Sequence, residues 1–231
     1  MSRKIEHSAV IFKDREDAAL ALIETLPKEI LKSSESVVLG VSEGGVFFAD
    51  KIAHALDSPM DLLFTEPIHS PINPELTIAM LGETEELVMH RALIDSFDIS
   101  KDYIYGEAAR RYKEGILTYI HKYREGDSLV SLEDKYVVLV DECVETGLTM
   151  MTAIKTVISL GAKNVFIAVP ILDNVVYESL INVCDNLFCP HKIDDYVSIE
   201  YYYASLEVFS FDAIEEIMKN RKRLNVKIKE K

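Results

Sequence analysis

The feature that most limits what this chain can fold into is a strand, a loop and a helix in direct succession. The apolar run Tyr136-Val137-Val138-Leu139-Val140 delivers two adjacent acids, Asp141 and Glu142, and Cys143-Val144-Glu145-Thr146-Gly147-Leu148-Thr149 then opens an apolar helix. With that helix over residues 148–160, Gly161 where it must stop, and a further apolar strand over 164–169, the stretch reads as a βαβ unit. Such a unit forces a parallel sheet with its helix packed on one face. The loop also carries chemistry. Amides at a helix N-terminus hold a phosphate, and carboxylates accept hydrogen bonds from vicinal hydroxyls, so these residue types suit a phosphorylated sugar. The plain alternative is a βα turn with a capping threonine.

The rest of the chain repeats the alternation. Asp14 is placed to cap a helix carrying Ala18, Ala19, Leu22, Ile23, Leu26 and Ile30 on one face. Val37-Val38-Leu39-Gly40-Val41 is a short apolar run of the kind buried in a parallel sheet. The turn Ser42-Glu43-Gly44-Gly45 follows, then a helix over 46–56 and a strand over 61–65. Pro67, Pro71 and Pro74 predict a loop over 66–75, because each lacks a donor and pushes its predecessor out of helical geometry. Residues 76–81 and 87–90 read as a hairpin, and residues 101–123 as a long amphipathic helix with Arg110, Arg111 and Lys113 on its wetter side. A helix over 173–183, a strand over 186–189 and a helix over 211–219 complete the order. It predicts an α/β fold, a mainly parallel sheet flanked by helices with a small hairpin embellishment, and a ligand site at the carboxyl ends of the strands. No repeat or linker divides the chain, so residues 1–218 read as one domain and 219–231 as a basic C-terminal tail.

Composition narrows the classes. A chain of 231 residues with 48% hydrophobic and 28% charged residues buries a core without a disulfide or metal staple, and is neither disordered nor collagen-like. No apolar run approaches the ~20 residues of a membrane span. The segment Met1-Ser2-Arg3-Lys4-Ile5-Glu6-His7 lacks the apolar stretch of a secretory signal, so a cytoplasmic location is expected. Against 25 Lys and Arg stand 39 Asp and Glu, a net charge of −14 that repels a phosphate backbone and argues against nucleic acid as a partner. Seven of the bases fall in residues 219–231 with a single acid, a stretch expected to be a frayed, solvated end. Three cysteines, an odd count, are expected as reduced thiols. Cys184, Cys189 and His191 lack the paired spacing and fourth ligand of a metal site, and Cys143 beside two acids is a poor nucleophile. Tyr196, Tyr201, Tyr202, Tyr203, Phe209 and Phe211 read as core or partner surface.

The strand ending in Asp141-Glu142 and running on through Thr146-Gly147-Leu148-Thr149 resembles the type I phosphoribosyltransferase signature, Asp-Asp/Glu-x-x-x-Thr-Gly-x-Thr. The resemblance covers nearly the whole chain, including Val41-Ser42-Glu43-Gly44-Gly45-Val46, Glu66-Pro67-Ile68 and Asn73-Pro74-Glu75-Leu76-Thr77-Ile78. It implies a site for phosphoribosyl pyrophosphate and Mg²⁺. By that likeness Asp141 and Glu142 meet the ribose hydroxyls and, through the donor, the metal. Glu145, Thr146, Gly147, Leu148 and Thr149 wrap the 5′-phosphate. Ser42, Glu43, Gly44 and Gly45 lie beside the pyrophosphate, and the loop after Thr65 closes over it. In an active member, cations stabilise the departing pyrophosphate while a nitrogen attacks the ribose.

The departures from that pattern share one sign. Glu43 stands where the family has a basic residue, Glu66-Pro67 where it has a basic pair, and Glu145 where a small neutral residue is usual. Val197-Ser198-Ile199-Glu200-Tyr201-Tyr202 stands where the family has Gly-Gln before its aromatics. Two like charges ~5 Å apart repel by about 3 kcal/mol at an effective dielectric of ~20, and about 1.4 kcal/mol is a tenfold change in affinity. Three carboxylates facing an anionic donor therefore cost several orders of magnitude. The expectation is a phosphoribosyltransferase fold without catalysis, a structural or regulatory interaction protein in a homo-oligomer or larger assembly, with no cofactor. The alternatives are an active transferase using phosphoribosyl pyrophosphate, Mg²⁺ and an unidentified purine or pyrimidine base, with Arg110, Arg111 or Arg124 replacing the missing cations, or a module that binds a nucleotide without chemistry.

Overall fold

The computed structural model describes residues 10–207 and 210–229. The first helix, α1 (Arg15–Thr25), starts where the Asp14 carboxylate accepts from the Asp17 amide at 3.0 Å. Pro27 then interrupts the helical path, and α2 (Lys28–Ser33) sets off in a new direction. The single apolar face expected from Ala18 to Ile30 is therefore split: Leu31 is buried and Ile30 is 58% exposed.

Every residue of β1 (Ser36–Gly40) is buried. It leads into α3 (Glu43–Leu56), whose cap is Ser42, the hydroxyl accepting from the Gly45 amide at 2.9 Å. After β2 (Met60–Leu62) come β3 (Thr65–His69), β4 (Thr77–Gly82) and β5 (Leu87–Met89), a three-stranded antiparallel sheet in that order. The proline-bearing segment is thus partly strand. β3 is an edge strand, where a residue with no N–H can sit without opening the ladder, so Pro67 is tolerated and the loop shrinks to residues 70–76.

Next come α4 (Arg91–Ser96) and the long helix, which is α5 (Lys101–Arg111), a π-helical turn (Tyr112–Ile116) and α6 (Leu117–Arg124). The βαβ unit is β6 (Tyr136–Val140), α7 (Leu148–Ser159) and β7 (Asn164–Ala168). It is followed by β8 (Ile171–Asp173), α8 (Asn174–Leu180), β9 (Asn186–Phe188), β10 (His191–Ile193), a 3₁₀ turn (Ile199–Tyr202) and α9 (Phe211–Lys229).

The main sheet is parallel throughout, in the order β2-β1-β6-β7-β9, and β8 pairs with β10 beside it. Alternation along β1 and β6 feeds two cores. Val38, Val138 and Val140 pack with Phe48 and Ile52 of α3, while Val37, Leu39, Val137 and Leu139 pack with Ala153 and Val157 of α7. β1 and β6 are neighbours, but α3 carries the chain outward to β2 and α7 carries it the other way to β7. Their carboxyl ends form the switch point at which α/β sheets open a crevice.

The basic end corrects an expectation. α9 continues through Lys229, and Arg221, 5% exposed, bonds the Asp50 carboxylate at 2.6 Å. Asn225 accepts from the Met60 amide at 3.1 Å and donates to its carbonyl at 2.8 Å. Opposite charge on α3 and two backbone bonds at β2 give residues 219–225 a docking partner, so they do not fray. Phe209 and the segment Met1 to His7 lie outside the described residues. Tyr202 and Tyr203 are core, whereas Tyr201 and Phe211 are exposed. Among the described residues no helix is long and apolar enough to cross a membrane.

Candidate functional site

The switch point brings the two predicted segments together. Asp141 is the first residue after β6, and its Oδ1 accepts from the Ser42 hydroxyl and from the Glu142 amide, the latter at 2.7 Å. Burial pushes its carboxyl up to about 7, against the pull of those two hydrogen bonds. Glu142 takes a partner from the far end of the chain: Arg15 Nε bonds its Oε1 at 2.5 Å, and Arg15 also donates to the Glu207 carbonyl. Both side chains are largely buried, at 14% and 13% exposure.

The glycines of the β1–α3 turn make room for this pair. A Cβ on Gly44 would land on the Glu142 carboxylate, and one on Gly45 would lie 2.7 Å from the Val140 carbonyl oxygen. The turn and the acidic loop are therefore one packed unit. Beyond the acids, Gly147 adopts φ +77°, the left-handed conformation that favours glycine, and starts α7. Thr146 is exposed, its hydroxyl 3.5 Å from the Leu148 amide. Glu145 is also exposed and accepts from the Tyr196 hydroxyl at 3.5 Å. Burial, then the Asp141 charge, pushes the Cys143 thiol up to about 12, as expected of a poor nucleophile.

A cavity of about 310 Å³ opens beside the acids, at the ends of β1 and β2. Ser42, Glu43 and Thr149 line it with three rings, Phe64, Tyr119 and Tyr123. The ring centroids lie 5.8, 6.0 and 6.2 Å apart. Among the described residues lining it none is Lys or Arg, and Glu43 is the carboxylate. Desolvation, followed by the Glu43 charge, raises the Tyr123 phenol to about 12.

Glu66 does not share this position. It is 6% exposed on β3, faces the long helix, and pairs with Arg111 Nη1 at 3.4 Å. Gly115 in the π-helical turn supplies the space, since a Cβ there would strike the Glu66 carboxyl. Desolvation raises the Glu66 carboxyl, with Arg111 opposing. Arg111 is accordingly half-buried and turned inward. Arg124 is 5% exposed, bonds Glu83, and lies 5.0 Å over the Phe64 ring. Arg110 stays on the surface with Glu107 and Glu114. Each arginine considered as a replacement cation is held by a carboxylate outside the cavity lining.

Sequence reasoning missed Arg15, Tyr119 and Tyr123. The tyrosines are spaced four apart on α6, a visible helical pair. Arg15 pairs across 127 positions and leaves no local signal. Asp141 is buried with its carboxyl raised, and Glu142 is paired with Arg15. Among the described residues no group of three His, Cys, Asp or Glu is placed to hold a metal.

Residues 11–205 match the phosphoribosyl transferase domain model, and the chain belongs to that family. Curated proteins from two strains of Mycobacterium tuberculosis, named provisionally as phosphoribosyl transferases, are 27% identical over 179 residues, 78% of this chain. The match spans 40% of their length, so this chain corresponds to less than half of those relatives. The crystal structure of TT1426 from Thermus thermophilus is similar at 28% identity, with a TM-score of 0.76 over 91% of this chain and 98% of that one.

Proposed function

We propose that this chain is a phosphoribosyltransferase-fold protein that has given up glycosyl transfer and works as a structural or regulatory interaction protein. One observation carries the reading. The cavity at the switch point is walled by rings and carries a carboxylate, Glu43, with no described Lys or Arg in its lining. A pyrophosphate leaving group needs cations placed where negative charge develops, and a carboxylate there opposes both binding and departure. The neutralised acids add to this, because a carboxylate held by Arg15 has less capacity for ribose hydroxyls. An interaction role calls for a companion, either a second copy or a larger assembly. Val175 and Val197, 78% and 68% exposed, offer apolar contact.

Retention of Asp141, Glu142, Thr146, Gly147 and Thr149 in a family-like loop favours the second reading, an active transferase using phosphoribosyl pyrophosphate and Mg²⁺. Incubation of the purified protein with that donor, Mg²⁺ and a panel of purine and pyrimidine bases separates the two. The proposal expects no pyrophosphate release above the uncatalysed background. Release at a turnover of about 1 per second or faster, the ordinary enzymatic range, overturns it.

A further inference from the structure

We infer that the cavity behind Glu43 is a receptor for a primary ammonium ion carried on an aromatic or apolar body. The inference rests on the non-catalytic reading above and names a ligand class for the same cavity. Three observations converge on it. The first is shape and lining: about 310 Å³ walled by Phe64, Tyr119 and Tyr123, with Met80 and Ile214 completing the apolar surface. That volume lies at the small end of ligand pockets, about 300–1,000 Å³, and suits one ring with a short side arm. The second is charge. Glu43, exposed at the end of the cavity, attracts a cation, and among the described lining residues no base neutralises it. The Glu66 carboxylate behind Tyr119 is already paired with Arg111.

The third observation is a polar group set beside that charge. Tyr123 is 7% exposed and lines the cavity, and its hydroxyl faces the Glu43 carboxylate without closing a hydrogen bond of standard geometry. The two oxygens therefore converge on one position in the cavity, where a donor-only group meets both. A primary ammonium has three N–H donors and no acceptor, which fits the oxygen of Tyr123 together with the carboxylate of Glu43. The rings supply the rest, since their faces are negative and attract cations. Two of them already do so: Lys122 Nζ lies 4.9 Å from the Tyr123 ring and Arg124 lies 5.0 Å from the Phe64 ring, and neither cation lines the cavity. Anionic ligands meet the opposite balance within the described lining, a carboxylate and no Lys or Arg, with Lys122 and Arg124 reaching the rings from outside it.

Calorimetric titration at neutral pH and low salt tests this with three probes of similar size: phenethylammonium, the neutral 2-phenylethanol and the anionic 3-phenylpropionate. Phenethylammonium is expected to bind saturably, with 3-phenylpropionate weaker by about tenfold or more. Glu43→Gln, a change at an exposed residue, is expected to weaken phenethylammonium by about fivefold and leave 2-phenylethanol unaltered. Absence of saturable phenethylammonium binding overturns the inference. Equal affinity for cation and anion does so as well, and so does undiminished cation binding by Glu43→Gln. The titrations contain no phosphoribosyl donor, so their failure strikes this inference alone, whereas pyrophosphate release strikes the reading beneath it.

Discussion

The loop after β6 and the turn after β1 meet at one switch point but have kept different things. The β6–α7 loop keeps its shape: Asp141 hydrogen-bonded to Ser42, Gly147 left-handed at the start of α7, Thr149 at the cavity. The β1–α3 turn keeps its glycines and carries a negative charge. A Cβ at Gly44 or Gly45 would collide with the acid pair, so packing alone preserves them. No packing constraint in the fold holds a cation at position 43, where the side chain is exposed. Backbone geometry and side-chain charge at this turn are therefore set by different constraints. Glu43 and Glu66 show the same split at single residues, one exposed beside the cavity and the other enclosed by the long helix.

The strongest way to break that contrast is Glu66→Arg. It sets a second cation beside Arg111 in a buried space closed by Gly115, and about 3–5 kcal/mol of stability is expected to be lost in urea unfolding. Near wild-type stability would place Glu66 outside, with Glu43. The acid pair offers the next largest effect. The Asp141 carboxyl titrates at about 7 in the folded protein, against ~3.9 in an unfolded chain. The native state thus keeps a proton that the unfolded state has released. Its contribution to stability is full below pH ~4 and falls as pH rises to about 7. Asp141→Asn cannot ionise, so relative to wild type it is expected to gain about 2–3 kcal/mol between about pH 5 and about pH 8. A pH-independent difference between the two proteins would show that Asp141 is solvated.

Gly45→Ala sharpens the packing half of the comparison. Its Cβ meets backbone on the neighbouring strand, and a loss of about 1–3 kcal/mol is expected, read as a lower Tm. Glu43→Arg is the smallest perturbation, within about 0.5 kcal/mol of wild type, because the residue is exposed. A large loss there would mean that the turn depends on its charge.

Much of the fold was legible because its signals are local. The Asp14 cap, the apolar runs of β1 and β6, and Gly161 after α7 each act within a few residues of themselves. Ile30 was misplaced because a periodicity count does not register that Pro27 reorients the chain. Glu66 was misplaced because three nearby prolines suggested a loop, although Glu66 and Ile68 are buried with Pro67 between them, the period-two pattern of a strand. The residues of the candidate site were legible as a motif, but their electrical state was not. Arg15 with Glu142, Glu66 with Arg111, and Arg124 with Glu83 are pairings across 127, 45 and 41 positions, set by tertiary packing.

The central claim is that the switch-point cavity repels the donor for which its loop is shaped. Calorimetric titration of phosphoribosyl pyrophosphate with Mg²⁺ into wild type and Glu43→Arg tests it most directly. The account predicts no saturable binding to wild type at millimolar donor and a measurable gain in the variant. Saturable micromolar binding to wild type, weakened by Glu43→Arg, would contradict it.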